Sequence, residues 1–240
     1  MSGHSKWSTI KRQKGAADVK RGATFTKLSN AVTIAVKQGG GIGDPEQNPR
    51  LRLAIELARS ANMPKENIQR AIERATSKGA GDLSELIYEG FAPGGVSVLV
   101  EAVTDNTNRT TSEVKGIFHK AGASFGQQGS VSYLFEQTAE ITVNKGDKTL
   151  DDIFLSAAEL GAEDVEDRGE EVGVYTSVHN LSQLKNGLTV QGFDVASSEI
   201  SMKPKTQIEV GEEVKEKVIN FLSSLEELDD VQKVYSNIVL

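Results

Sequence analysis

Apolar positions recur at steps of three and four residues from Phe25 onward. Phe25, Leu28, Val32 and Ala35/Val36 share one face of a helix that runs out at Gly39-Gly40-Gly41. Asn48 followed by Pro49 predicts an N-cap and the first turn of a second helix, because proline's missing N–H costs nothing at the first helical position. Leu51, Leu53, Ala54, Leu57, Ala58 and Ala61 form its apolar set, and Asn62-Met63-Pro64 ends it. Pro64 opens a third helix with Ile68, Ala71, Ile72 and Ala75 on one face. Connections this short predict a small three-helix bundle. Residues 1–20 show no such period and read as a flexible basic arm.

The period changes after Ala80-Gly81-Asp82. Gly95–Val103 alternates Val96, Val98 and Val100 with smaller or polar residues, a strand pattern. The polar turn Thr104–Arg109 leads into a helix through Thr110 and Glu113, at capping-box spacing, with Val114, Ile117, Phe118 and Ala121 on its buried face. Ser130–Phe135 alternates again and reads as a strand. A self-contained unit follows: strand Glu140–Val143, helix Thr149–Leu160, a strand pair over Asp164–Ser177 turning at Asp167-Arg168-Gly169, helix Leu181–Leu188 and strand Phe193–Ser201. Strand–helix–strand–strand–helix–strand is the split βαβ, ferredoxin-like layout. A helix over Glu212–Leu225 and a strand over Val231–Ile238 have no sheet of their own and would complete the unit of residues 95–135.

The expectation is therefore an α+β protein: an N-terminal three-helix domain, then two small α/β domains of split-βαβ type, one inserted in the other. The boundaries are 1–79 for the arm and bundle, 80–136 plus 204–240 for the discontinuous domain, and 137–203 for the insert.

Charge sharpens this picture. The chain has a formal net charge of -7, yet its first 37 residues hold eight Lys/Arg and a single acid, Asp18. Residues 1–78 carry 15 Lys/Arg against 6 Asp/Glu, a net of +9, and the remaining 162 residues a net of -16. A cationic head on an anionic body predicts a polyanionic partner met by one end of the molecule. The expected phosphate contacts are Lys6, Lys11, Arg12, Lys14, Lys20, Arg21 and Lys27 of the arm and first helix, with Arg50, Arg52, Arg59, Arg70 and Arg74 outward on the bundle. Trp7, the single tryptophan, would either stack on a base or staple the arm to the bundle. Few Asn or Gln are placed to read base edges, Gln69 being a lone candidate, so ribosomal or transfer RNA fits the residues at least as well as duplex DNA.

Other chemistry is sparse. Asn106, Asn108 and Arg109 at a helix start form a candidate anion contact. The glycines of Gly39–Gly43 lack the Gly-Lys-Ser/Thr of a phosphate loop. The acidic stretch Glu163–Glu171 lacks calcium-loop spacing and reads as a solvated hairpin, and His4, His119 and His179 show no metal spacing. No nucleophile elbow or paired-carboxylate signature is present, so the expectation is a non-enzyme with no cofactor and no metal. The chain has no cysteine, which fits a reducing cytosol, and no run nears the ~18 apolar residues of a membrane span. The basic N-terminus has no apolar stretch behind it, unlike a secretory signal; the expected location is cytoplasmic.

Several runs resemble one family over nearly the whole chain and in order. They are Met1-Ser2-Gly3-His4-Ser5-Lys6-Trp7, Phe25-Thr26-Lys27-Leu28, Asn48-Pro49-Arg50-Leu51-Arg52, Asn62-Met63-Pro64 and Tyr88-Glu89-Gly90-Phe91-Ala92-Pro93-Gly94-Gly95-Val96. Thr104-Asp105-Asn106-Thr107-Asn108-Arg109-Thr110, Gly129-Ser130-Val131 and Asp229-Asp230-Val231-Gln232 complete the likeness to YebC-like proteins. The resemblance implies a three-domain α/β protein with a helical N-terminal domain. It also implies a probable DNA-binding transcriptional regulator; mitochondrial relatives are similar to translational activators, and a ribosome-associated role is the competing implication for the bacterial members.

Overall fold

A computed structural model describes residues 17–77 and 83–239, with side chains from Gly22 onward. Three helices lead the described residues: α1 (Ala17–Gln38), which begins inside the stretch expected to be a flexible arm, α2 (Pro49–Ser60) and α3 (Lys65–Thr76). Strands β1 (Ser84–Phe91) and β2 (Ser97–Thr104), helix α4 (Thr107–Lys120) and the short β3 (Ser124–Phe125) follow. Next come β4 (Phe135–Asn144), α5 (Leu150–Glu159), β5 (Asp164–Asp167), β6 (Glu171–Thr176), α6 (Leu181–Val190) and β7 (Asp194–Pro204). Helix α7 (Glu212–Glu226) and strand β8 (Val231–Ser236) end it.

The helices pack as their spacing predicts, around Leu28, Val32, Val36, Leu51, Ala58, Ile68 and Ala71. Asn48 caps α2, its Oδ1 accepting from the Leu51 N–H at 3.1 Å, while its amide donates to the carbonyls of Ala35 at 2.9 Å and Ile42 at 3.1 Å. Residue 39 must be glycine for this to happen, since a Cβ there would lie 2.1 Å from the Asn48 amide nitrogen. One expected core residue faces elsewhere: Ile55 fills the bundle, whereas Leu53 packs against the core of the second sheet. Leu53 and Ile55 lie about 200° apart on the helix, so one helix serves two cores.

The first sheet runs β3-β1-β2-β8 with antiparallel neighbours. Both β2 and β3 oppose β1, so they run parallel to each other and α4 crosses between them, a split βαβ unit. Helices α4 and α7 cover one face, with Phe118 and Phe221 edge to face at 4.9 Å over Val98, Val100 and Val234. The expected late helix and strand thus join the sheet begun more than 100 residues earlier. Strand β1 escaped the sequence reading because Glu85, Glu89 and Gly90 interrupt its apolar pattern. The expected strand over Ser130–Phe135 is instead a tight turn at Ser132–Leu134, and β4 begins at Phe135. The buried Glu89 carboxylate is the cause: it accepts the N–H groups of Gly129 at 2.7 Å, Val131 at 2.7 Å and Ser132 at 2.8 Å, donors a strand would have used on its ladder. Burial alone would raise Glu89's pKa, but those three N–H groups prevail and hold it below the usual range.

The second sheet, β5-β6-β4-β7, has the ferredoxin-like order, with α5 and α6 over Ile141, Val143, Val172 and Val174. Thr149 and Asp152 form a reciprocal capping box at the start of α5. The helices and the two sheets are tied to one another. The Lys27 ammonium donates to the Glu226 carbonyl at 2.5 Å, Glu56 meets Lys185 at 2.6 Å, and Lys233 of the first sheet meets Glu199 of the second at 2.7 Å. Among the described residues no helix is long and apolar enough to cross a membrane.

Candidate nucleic-acid interface

Of the expected phosphate contacts, Lys6, Trp7, Lys11, Arg12 and Lys14 lie outside the described residues, as do the side chains of Lys20 and Arg21. The rest divide by what already holds them. Lys27 sits at the carboxyl end of α7, where an ammonium satisfies an orphan carbonyl and opposes the helix dipole; the fold itself uses this cation. Arg74 donates to Asn30 at 3.2 Å and Thr33 at 3.1 Å, bracing α3 against α1. Arg52 reaches back to the carbonyls of Pro45 and Glu46, both at 3.1 Å, and lies 3.6 Å from the Glu46 carboxylate, so it closes the loop before its own helix.

Three arginines are more available. Arg50 is exposed and touches the Gln38 side chain. Arg70 is exposed and bonds its own helix at Glu66 and Asn67. Arg59, in the last turn of α2, is exposed and its guanidinium has no bonding partner among the described residues. Exposed guanidiniums keep their hydration and mobility, which suits contact with phosphate oxygens. Gln69, the lone candidate base reader, donates its amide to Glu73 at 3.0 Å.

The expected anion contact has an internal occupant. Helix α4 is capped by Asn106 rather than Thr110: the Asn106 Oδ1 accepts from the Arg109 N–H at 3.1 Å. Thr110 is fully buried and turns to Asp230, whose carboxylate accepts from Thr110 at 2.6 Å, Arg109 at 2.7 Å and Thr104 at 3.0 Å. Asn108 is exposed in the first turn. Burial alone would raise the pKa of Asp230, but the bonds from Arg109, Thr110 and Thr104 outweigh it and hold it below the usual carboxylate range. The corner therefore reads as a lock between α4 and the residue preceding β8.

The most strongly held arginine lies where a solvated hairpin was expected. Arg168 folds back over the helix-free face of the second sheet, its side chain 6% exposed. It meets Glu140 at 2.8 Å, Glu166 at 3.3 Å and the Tyr175 hydroxyl at 2.7 Å, and that hydroxyl donates to Glu166 at 2.9 Å. Gly173 makes the room, since a Cβ there would stand 2.6 Å from the guanidinium. Burial and Glu140 push the Tyr175 hydroxyl pKa upward, so it remains a donor. Burial opposes the charge on Arg168, but the two carboxylates raise its pKa further. The sequence held one signal for this cluster: an arginine in a turn between acid-bearing strands.

Beside it, Glu136, Thr138, Tyr175, His179 and Lys203 line a cleft of 460 Å³. Its ammonium is already engaged, with Lys203 2.5 Å from Asp164 and 4.8 Å from the centre of the Tyr175 ring. No group of His, Cys, Asp or Glu among the described residues is placed to hold a metal ion.

Comparison with known proteins covers nearly the whole chain. Residues 5–78 match the model of the TACO1/YebC protein N-terminal domain, and residues 83–238 match that of the TACO1/YebC second and third domain. A probable transcriptional regulatory protein of Rubrobacter xylanophilus is 47% identical over 239 residues, covering 99% of this chain and 95% of that one. One of the same name from Chloroflexus aurantiacus is 49% identical over 243 residues, with 99% and 95% covered. The crystal structure of a conserved hypothetical protein from Aquifex aeolicus superposes with a TM-score of 0.87 at 44% identity, covering 94% of this chain and 93% of that one.

Proposed function

Because the chain belongs to the TACO1/YebC family, we propose that it is a cytoplasmic, non-enzymatic regulator of gene expression that grips nucleic acid through its N-terminal part. It works as three bodies: residues 1–79, residues 80–136 with 204–240, and residues 137–203. The observation that carries the reading is the segregation of charge, +9 against -16, with Arg50, Arg59 and Arg70 exposed on the helical body. Phosphates condense counterions, and each cation that replaces one releases it, so such a grip weakens steeply with salt. The names of the curated relatives, probable transcriptional regulatory protein, support DNA as the partner.

A second reading, contact with ribosomal or transfer RNA, is favoured by one detail. The Gln69 amide is engaged by Glu73, and the available cations are phosphate binders rather than base readers. Recognition by backbone shape suits folded RNA.

The test is fluorescence anisotropy of the full chain on a duplex DNA and on a transfer RNA, titrated between about 50 and 200 mM salt. The expected result is binding whose log–log salt slope falls by about three when Arg50, Arg59 and Arg70 are all changed to glutamate. Tighter binding to one probe identifies the partner class. Absence of binding to both at low salt, or a triple variant with an unchanged slope, removes the proposal.

A further inference from the structure

The junction between the two sheets contains one ammonium and two carboxylates that compete for it. Lys233 and Glu101 are cross-strand partners on β8 and β2, within the first sheet. Glu199 lies on β7, in the second sheet, and it is Glu199 that Lys233 meets, at 2.7 Å, with a further bond to the Ile200 carbonyl at 2.9 Å. Glu101 accepts instead from the Tyr235 hydroxyl at 3.3 Å. Tyr235 also joins Leu99, Val131 and Phe135 in a small apolar cluster, against which Met202 of β7 packs.

We propose that this junction is a proton-tightened clamp, in which Glu101 is the titrating group and Lys233 the ammonium that fastens one sheet to the other. With Glu101 ionised, Lys233 is drawn to a carboxylate on its own sheet, and its hold on the partner sheet is shared. With Glu101 protonated, the ammonium belongs to Glu199 and the Ile200 carbonyl alone, and the bodies close.

The groups facing Glu101 are Lys233 and Tyr235 from β8, Glu199 from β7 and Glu85 from β1, the last touched by Gln38 of α1. Glu140 of β4, held by Arg168, stands opposite Glu199 in the sheet and adds to the negative field at Lys233. Burial first, then the like charges of Glu199 and Glu85, raise the pKa of Glu101 against the pull of Lys233 and Tyr235. Burial pulls Lys233 down, but Glu199 and Glu101 leave it raised, so it stays charged throughout. The sign follows from Glu199, which belongs to the other sheet and so presses its like charge on Glu101 in the closed state: closure is weakened while Glu101 is ionised, and the penalty lifts as pH falls through the raised value.

The chain has no cysteine, so labels at Glu113→Cys on α4 and Asn186→Cys on α6, both exposed, report the distance between the bodies without interference. Electron–electron distance measurements are made between about pH 8 and pH 5. The doubly labelled protein is expected to show a second, longer-distance population at the high end that disappears at the low end. Each unit by which Glu101's pKa differs between closed and open junctions changes their ratio about tenfold. Glu101→Gln is expected to remove the longer population at every pH, and Lys233→Met to keep it at every pH. A distribution independent of pH in the parent, or an unaltered pH response in folded Glu101→Gln, overturns the clamp. Should Lys233→Met fail to fold by circular dichroism, Glu101→Gln decides alone.

Discussion

On the second sheet, Arg168 keeps 6% of its side-chain exposure and meets Glu140, Glu166 and the Tyr175 hydroxyl; on α2, Arg59 is exposed and meets no partner among the described residues. The two guanidiniums belong to regions of opposite net charge, and their settings are inverted. Where the body is acidic, the arginine is drawn inward, because buried carboxylates need a cation that fits them with several N–H groups at once. Where the region is basic, Arg50, Arg59 and Arg70 pair with no carboxylate among the described residues and remain outward, whereas Arg52 and Arg74 are taken up by the bundle's own loop and helices. Local charge balance therefore sorts arginines into those that hold the fold and those left for a partner. That sorting decides which basic residues are credible contacts better than a count of positive charge does.

The comparison is broken most directly at Arg168. Changing it to methionine keeps much of the volume but leaves Glu140 and Glu166 buried without their cation, and removing one side of a buried ionic cluster costs about 3–5 kcal/mol. Urea unfolding should show that loss; a midpoint unmoved by the change would place the network outside the stability of the sheet.

An intermediate case is Asp230, which receives Arg109, Thr110 and Thr104 at the helix α4 corner. Asp230→Asn weakens three bonds to a charged acceptor and should cost about 1–3 kcal/mol at neutral pH. Its pKa lies below the ordinary value, so the stabilisation is complete above the unfolded pKa and fades as pH falls through the lower folded one. The stability gap between parent and variant should accordingly shrink between about pH 5 and pH 2, as followed by denaturant titration. A gap constant over that range would mean that shape rather than charge holds the corner.

Much of this was legible in the sequence, and three of the misses share a cause. Three- and four-residue periodicity located α2, α3 and α1 from Phe25 onward, though not the start of α1 at Ala17, and Asn48-Pro49 located a cap. The ferredoxin-like order expected for residues 137–203 from apolar spacing and turn residues is the order of β4 to β7. In the three misses, a polar side chain is satisfied away from its own element. Glu89 organises a loop some 40 residues away, turning an apparent strand at 130–135 into a turn. Asp230 occupies a corner 120 residues back in the chain, moving the expected cap from Thr110 to Asn106. Arg168 closes over a glycine that only a sheet brings beneath it. Periodicity reports which face is apolar; it carries no information about which distant partner will satisfy a buried polar group.

The smallest stability effect, and the one that isolates function, is expected within the basic region itself. Arg74→Gln removes the donors to Asn30 and Thr33 that brace α3 on α1, a loss of about 0.5–1.5 kcal/mol. Arg59→Gln removes a charge that bonds nothing among the described residues and should move stability by no more than about 0.5 kcal/mol. Their effects on nucleic-acid binding should fall in the reverse order, with Arg59→Gln lowering the salt slope by about one and Arg74→Gln leaving it nearly unchanged. Thermal melts and anisotropy titrations on the same two proteins measure both orders at once. If Arg59 proved the costlier residue for stability, or Arg74 for binding, then an internal hydrogen bond would be no guide to a cation's use. The distinction between structural and available arginines would have to be drawn from the bound state instead.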